Sequence, residues 1–293
     1  MKMGKHKFAY YAGCTSAIRI PSYDLSTRNV LNALDIELED ITSLGCCGMY
    51  EEQINEMAHL TLAARIMAIA EGLGLDILVI CNGCFLSLKK AKLRLADDGL
   101  KAKVNEILAD FDLEYKGKSE VKHYVQFLYE DYGLEKIKEK IAKPLSLRVA
   151  AHYGCHLLKP SEVTGFDDFE EPQSLDKLIE VTGATSIDYM EKKLCCGGYL
   201  LGFDSEKTYE MAAIKLRSVK NARADLLVTI CPFCNLVYDH NQRLIEAKFN
   251  EKFSIPVLHY PQLLGIALGL DFKALGIDQN RVRVNPEIFN SDL

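Results

Sequence analysis

Short apolar runs alternate with longer amphipathic stretches along this chain. Lys7-Phe8-Ala9-Tyr10-Tyr11-Ala12 and Asp76-Ile77-Leu78-Val79-Ile80 are too short for helices and carry little polar alternation. That pattern predicts strands buried on both faces, as in a parallel sheet. Arg148-Val149-Ala150-Ala151 and Asp225-Leu226-Leu227-Val228-Thr229-Ile230 read the same way. Between the first two runs, Thr27–Leu34 is amphipathic and Ile36–Ser43 predicts a further strand. From Glu51 to Gly72, the residues Ile54, Met57, Leu60, Ala64, Met67 and Ala70 fall on one face, which predicts a long helix. Gly72 and Gly74 supply its stop. Helical sequence also follows the other two apolar runs, at Leu86–Leu95 and Leu236–Phe249.

These elements are written twice. The opening strands end in Gly13-Cys14 and Gly154-Cys155, 141 residues apart. Each half then carries an adjacent pair, Gly45-Cys46-Cys47-Gly48 and Leu194-Cys195-Cys196-Gly197. Each later delivers a C-x-x-C, Cys81/Cys84 and Cys231/Cys234. The lone cysteine and the pair are separated by 31 residues in the first set and 39 in the second; pair and C-x-x-C by 33 and 34. A third echo lacks cysteine: Val121-Lys122-His123-Tyr124 matches Val257-Leu258-His259-Tyr260. Repetition this complete predicts an internal duplication. Strands alternating with helices predict α/β architecture, each half with a mainly parallel sheet and flanking helices. The predicted domains are 1–143 and 144–293, divided after the charged segment Glu135–Lys143. Ligands of open α/β sheets collect at the carboxyl ends of the strands, so the cysteines are expected to gather there.

Composition narrows the chemistry. At 293 residues and 48% hydrophobic content the chain can bury two cores. A formal charge of −6 argues against nucleic-acid binding. No secretory signal is legible, and the longest apolar stretch, Leu263–Leu270, is about half of what a bilayer span needs. A cytoplasmic protein without a membrane span is expected. Ten cysteines in that setting point to metal or redox chemistry rather than structural disulfides.

Five thiolates per half is an unusual number. A structural zinc closes its shell with four thiolates, and a cubane iron–sulfur cluster also takes four. Adjacent side chains on an extended backbone point to opposite sides. Cys46-Cys47 and Cys195-Cys196 are therefore better suited to touching different irons of one polynuclear cluster, with Gly48 and Gly197-Gly198 permitting the close approach. The rivals are a vicinal disulfide, which leaves three cysteines of each set unexplained, and a zinc-stabilised scaffold.

The doubled pattern Cys, Cys-Cys-Gly, Cys-x-x-Cys resembles the CCG-domain, cysteine-rich iron–sulfur family, most closely its heterodisulfide reductase B subunits. It covers the chain nearly end to end and includes Gly154-Cys155-His156, Cys231-Pro232-Phe233-Cys234 and His259-Tyr260-Pro261-Gln262. The resemblance implies two noncubane [4Fe-4S] clusters. Cys14, Cys46, Cys47, Cys81 and Cys84 would hold one, and Cys155, Cys195, Cys196, Cys231 and Cys234 the other. It implies two-electron reduction of the coenzyme M–coenzyme B heterodisulfide in methanogenesis, the disulfide being split between two facing clusters. The implied partners are the iron–sulfur C subunit and the flavin-carrying A subunit of heterodisulfide reductase, with a hydrogenase or formate dehydrogenase as electron source. The alternative is a related electron-transfer protein that works on another disulfide, or on a flavin or quinone complex.

Protonating two leaving thiolates requires an acid. His156, next to Cys155, is the first candidate and His152 the second, because imidazole titrates near neutrality. His123 and His259 read as structural. Arg19, Lys89, Lys90, Lys159, Lys192 and Lys193 lie near cysteines in sequence, and solvated faces are their default.

Overall fold

The computed structural model describes residues 6–41 and 45–289. Its first four strands are β1 (Lys7–Tyr11), β2 (Glu37–Asp40), β3 (Ile77–Val79) and β4 (Val121–His123), which form an all-parallel sheet in the order β2-β1-β3-β4. The last four are β5 (Arg148–His152), β6 (Thr185–Ile187), β7 (Leu226–Thr229) and β8 (Val257–His259), in the order β6-β5-β7-β8. The central strands β3 and β7 are wholly buried, as their unbroken apolar sequence requires.

Registers match between the sheets. Tyr11 pairs with Val79, and Val79 with His123. His152 pairs with Thr229, and Thr229 with His259. Tyr11 and His152 are thus equivalent positions, as are His123 and His259. Both of these last two are fully buried at strand ends, and Val125 N–H donates to His123 Nδ1 at 3.3 Å.

Some predicted boundaries shift. The long helix is Glu56–Leu73, not Glu51–Gly72: a short 3₁₀ turn, Glu51–Gln53, precedes it, and Asn55 caps it by accepting from Ala58 N–H at 3.1 Å. Ile54 therefore lies outside the helix and is 85% exposed, whereas Leu60, Ala64, Met67 and Ala70 are buried as predicted. Thr27–Leu34 is the later part of a helix, Pro21–Ala33, started by its proline. The helix predicted over Leu86–Leu95 begins earlier, at Asn82, directly after Cys81. In the second half, Pro232–Asn235 and a π turn, Leu236–His240, precede the helix Gln242–Phe249. The predicted strand Ile36–Ser43 is β2 as far as Asp40; residues 42 and 43 lie outside the described residues.

The two sheets are clasped together by exchanged helices. Pro21–Ala33 of the first half packs on Tyr260–Ala267 of the second, and Tyr124–Gln126 packs on Ser174–Glu180. The ring of Tyr23 stacks on His259 at 4.0 Å between centroids and 7° between planes. This reciprocal packing holds the carboxyl ends of the two sheets against each other.

Candidate metal centre

Each cysteine sits where a strand ends. After β1 the chain turns at Gly13, whose φ is +74°. A Cβ there would stand 2.9 Å from the Cys84 Sγ, so only glycine lets the chain pass that sulfur into the helical turn carrying Cys14. Gly154 repeats the device with φ +72°: its Cβ would stand 2.7 Å from Asn82 Nδ2 and 3.4 Å from the Cys234 Sγ. Cys81 and Cys231 follow the central strands and cap the helices that begin at Asn82 and Pro232. Cys84 and Cys234 lie in the first turns of those helices, where the neighbouring cysteines and burial push both thiols up. The adjacent pairs lie in loops after β2 and β6. Gly48 N–H donates to Cys46 Sγ at 3.4 Å, and Gly197 and Gly198 N–H donate to Cys195 and Cys196 Sγ at 3.4 and 3.3 Å.

All ten cysteines are free thiols, and they form two chains in which each thiol acts on the next. One runs Cys14, Cys46, Cys47, Cys84, Cys81. The other runs Cys155, Cys195, Cys196, Cys234, Cys231, with 3.7 Å between the Sγ atoms of Cys155 and Cys195. The order is the same in both. The chains meet at Cys81 and Cys231, which act on each other's protonation across the two halves. Shared protons divide the thiols of each set. Cys46 and Cys84 hold Cys47 well below the ordinary thiol value, and Cys155 with Cys196 hold Cys195 down to about 2. Burial opposes the Cys231 thiolate, but Cys234, Cys81 and the Asn82 N–H keep it low as well. Five sulfur donors in the same order in each half fit an iron–sulfur group better than a four-ligand zinc.

A narrow cavity opens against the second set. Met49, Asn82 and Gly83 line it from the first half; Cys155, His156, Cys195, Gly198, Tyr199, Cys231 and Phe233 are among its walls from the second. Asn82 spans the halves by donating to the Tyr153 carbonyl at 2.8 Å. Beside the cavity, Tyr50 stacks on Tyr199 at 4.7 Å and 18°. These tyrosines are duplicates, each four residues after the first cysteine of its pair.

Of the two candidate acids, His156 reaches this cavity. His152 does not line it. Fully buried, it takes a hydrogen bond at Nδ1 from Lys215 at 2.8 Å, and burial followed by the Lys215 charge holds its imidazole well below the usual value. The basic residues near the cysteines are engaged elsewhere: Lys192 pairs with Asp176 at 2.6 Å and Lys90 with Glu52 at 2.7 Å. Lys193 donates to the Glu170 carbonyl, Lys89 lies over Phe85 and Lys159 over Phe169. Arg19 is exposed. None of the six lines the cavity. Among the described residues, no helix is long and apolar enough to cross a membrane.

The cysteine-rich CCG domain model matches residues 8–89 and 149–238. The B subunit of the ferredoxin/F420H2-dependent CoB-CoM heterodisulfide reductase of Methanosarcina acetivorans is 41% identical over 283 residues, 94% of each chain. The B subunit of the ferredoxin:CoB-CoM heterodisulfide reductase of Methanosarcina mazei is 40% identical, covering 95% of this chain and 94% of its own. The 8-methylmenaquinol:fumarate reductase membrane anchor subunit of Wolinella succinogenes is 33% identical, over 94% of this chain and 96% of its own. A crystal structure of a hypothetical protein from Helicobacter pylori shares the fold, with a TM-score of 0.75 at 17% identity; it matches 96% of this chain and 53% of that one. Each matched segment of the domain model contains one five-cysteine set, and the chain belongs to the cysteine-rich CCG-domain family, in the branch of the heterodisulfide reductase B subunits.

Proposed function

We propose that the chain is the disulfide-reducing B subunit of a cytoplasmic heterodisulfide reductase. Cys14, Cys46, Cys47, Cys81 and Cys84 hold one noncubane [4Fe-4S] cluster, and Cys155, Cys195, Cys196, Cys231 and Cys234 hold the other. When bound, such clusters would supply the two electrons and the thiolate-accepting iron that reduction of the coenzyme M–coenzyme B disulfide needs. The observation that carries this reading is the meeting of two identically ordered five-sulfur chains at Cys81 and Cys231. Reducing one disulfide yields two thiolates, and the duplication supplies two like sets of ligands, each of which would hold a group able to receive one.

The chain's own residues prepare the rest. Met49, Tyr199 and Phe233 give the cavity an apolar wall that sheds water from the reacting sulfurs. His156 lines the same cavity beside Cys155 and is the proton donor to the departing thiolate. Electrons arrive through the iron–sulfur C subunit from the flavin-carrying A subunit, fed by a hydrogenase or formate dehydrogenase, because all ten cysteines of this chain are already used.

A second reading is favoured by the Wolinella relative, named a membrane anchor subunit of a menaquinol:fumarate reductase. On that reading the chain passes electrons between a quinol and a flavin subunit. Reduction of the heterodisulfide by the assembled complex, followed as thiol release, separates the two. Two thiols per two electrons support the first; no thiol release with quinol-linked electron flow supports the second.

A further inference from the structure

The duplication is broken at one buried pair of side chains. Lys215, on the helix Ser205–Asn221, is fully buried, and among the described residues no other lysine or arginine is. Its ammonium donates to the Lys192 carbonyl at 2.9 Å and to His152 Nδ1 at 2.8 Å, and lies 5.6 Å from the centre of the Tyr189 ring. A ring nitrogen of His152 and the Sγ atoms of Cys196 and Cys234 all lie within 4.8 Å of one another.

The first half has neither residue. Tyr11 stands at the register position of His152, and its hydroxyl donates to the Gly45 carbonyl at 2.7 Å. The helix caps Asn55 and Asp204, like the paired cysteines, are offset by 149 residues, which sets buried Ile66 opposite Lys215. The nearby Arg65 is only half-buried and lies over Gly45, on the backbone before the pair. The first half instead has His59, bonded to Ser87 Oγ at 3.0 Å, which donates to the Cys47 carbonyl.

Burying an ammonium is costly unless nearby negative charge compensates. Burial, the larger effect, brings Lys215 to about 7, and Cys234, Cys196, Cys195 and Glu191 act against it; as ligands of a cluster those sulfurs would carry the compensating charge. A positive donor beside a redox group stabilises its more negative, reduced state, both through space and through the hydrogen bonds of its surroundings. Resting on the cluster assignment above, we propose that Lys215, with His152 between it and the sulfurs, is a tuning residue that makes the second cluster the more easily reduced of the two. The first electron delivered by the donor complex then resides beside the cavity and His156, and the next one enters the first cluster. No bond is made or broken in this step.

The test is a potentiometric titration of the anaerobically purified full chain, followed by Mössbauer or EPR spectroscopy, for wild type, Lys215→Met and Lys215→Arg. Iron and sulfide are counted first: a chain without them would overturn the cluster assignment and this inference with it. With both clusters present, wild type is expected to reduce in two separated steps. Lys215→Met should lower the higher step toward the other and leave the lower one in place, while Lys215→Arg keeps the two apart. A single step in wild type, or an unchanged separation in Lys215→Met, would overturn the inference alone. Should Lys215→Met bind too little iron, the wild-type separation and its survival in Lys215→Arg decide the matter.

Discussion

Replacing Gly48 by alanine should destabilise the chain through the loop that aims the first cysteine pair. Its φ is +77°, a conformation that costs an L-residue ~1–2 kcal/mol. The added Cβ would stand 3.0 Å from His59 Cα and 3.1 Å from the His59 carbonyl oxygen. Both are backbone atoms in the first turn of Glu56–Leu73, which the Asn55 cap anchors, so the neighbour cannot yield by changing rotamer. Overpacking against such a wall adds ~1–3 kcal/mol, for a combined loss of ~2–5 kcal/mol. Gly72 on the same helix is the control. It is exposed, has ordinary helical φ and would place its Cβ in open space, so alanine there should stabilise by ~0.5–1 kcal/mol. Thermal midpoints of the anaerobically purified full chain, compared between the two variants, read the difference. A Gly48→Ala variant as stable as wild type, or shifted in the same direction as Gly72→Ala, would refute the packing account.

The remaining expectations are smaller in scope. His156→Asn should lower heterodisulfide turnover while leaving the iron content intact; unchanged turnover would remove it as the proton donor. Burial, above all, depresses His123 and His259 to about 3 from their ordinary 6.5. The unfolded chain takes up these protons below pH 6.5 and the folded chain does not, so stability is full above that value and is lost as pH falls. At pH 5 the loss is about 2 kcal/mol per histidine. The difference in acid sensitivity between wild type and His259→Gln isolates one share, and equal sensitivities would contradict the assignment. In Asp239, burial likewise outweighs two backbone N–H donors, from Arg281 and Val282 at 2.8 and 2.9 Å, and lifts the carboxyl to about 6. Asp239→Ala should free the segment at Arg281 and Val282, seen as faster amide exchange there; unaltered exchange would show that other contacts hold it.

Much of this architecture is legible in the sequence because it is encoded twice. The strand ends, the cysteine placements and the parallel sheets follow from repeated short apolar runs, each closed by Gly-Cys or C-x-x-C. The start of the long helix is not, because Ile54 continues the apolar spacing past the true cap at Asn55. The stacked Tyr50 and Tyr199 could have been found from their equal offset after the two pairs. Lys215 left a fainter mark. It shares an inward face with Ala212, Leu216 and Val219, but a lysine on a helix is ordinarily solvated, and only the packed structure places it beside His152. The meeting of Cys81 and Cys231 depends on how the two halves clasp, which no local pattern encodes.

Cluster content tests the central claim most directly. The chain, purified without oxygen, should be assayed for iron, acid-labile sulfide and zinc. Two four-iron clusters predict about eight irons per chain with matching sulfide. About two zincs and no sulfide would mean that the paired five-cysteine sets hold a scaffold rather than a redox centre.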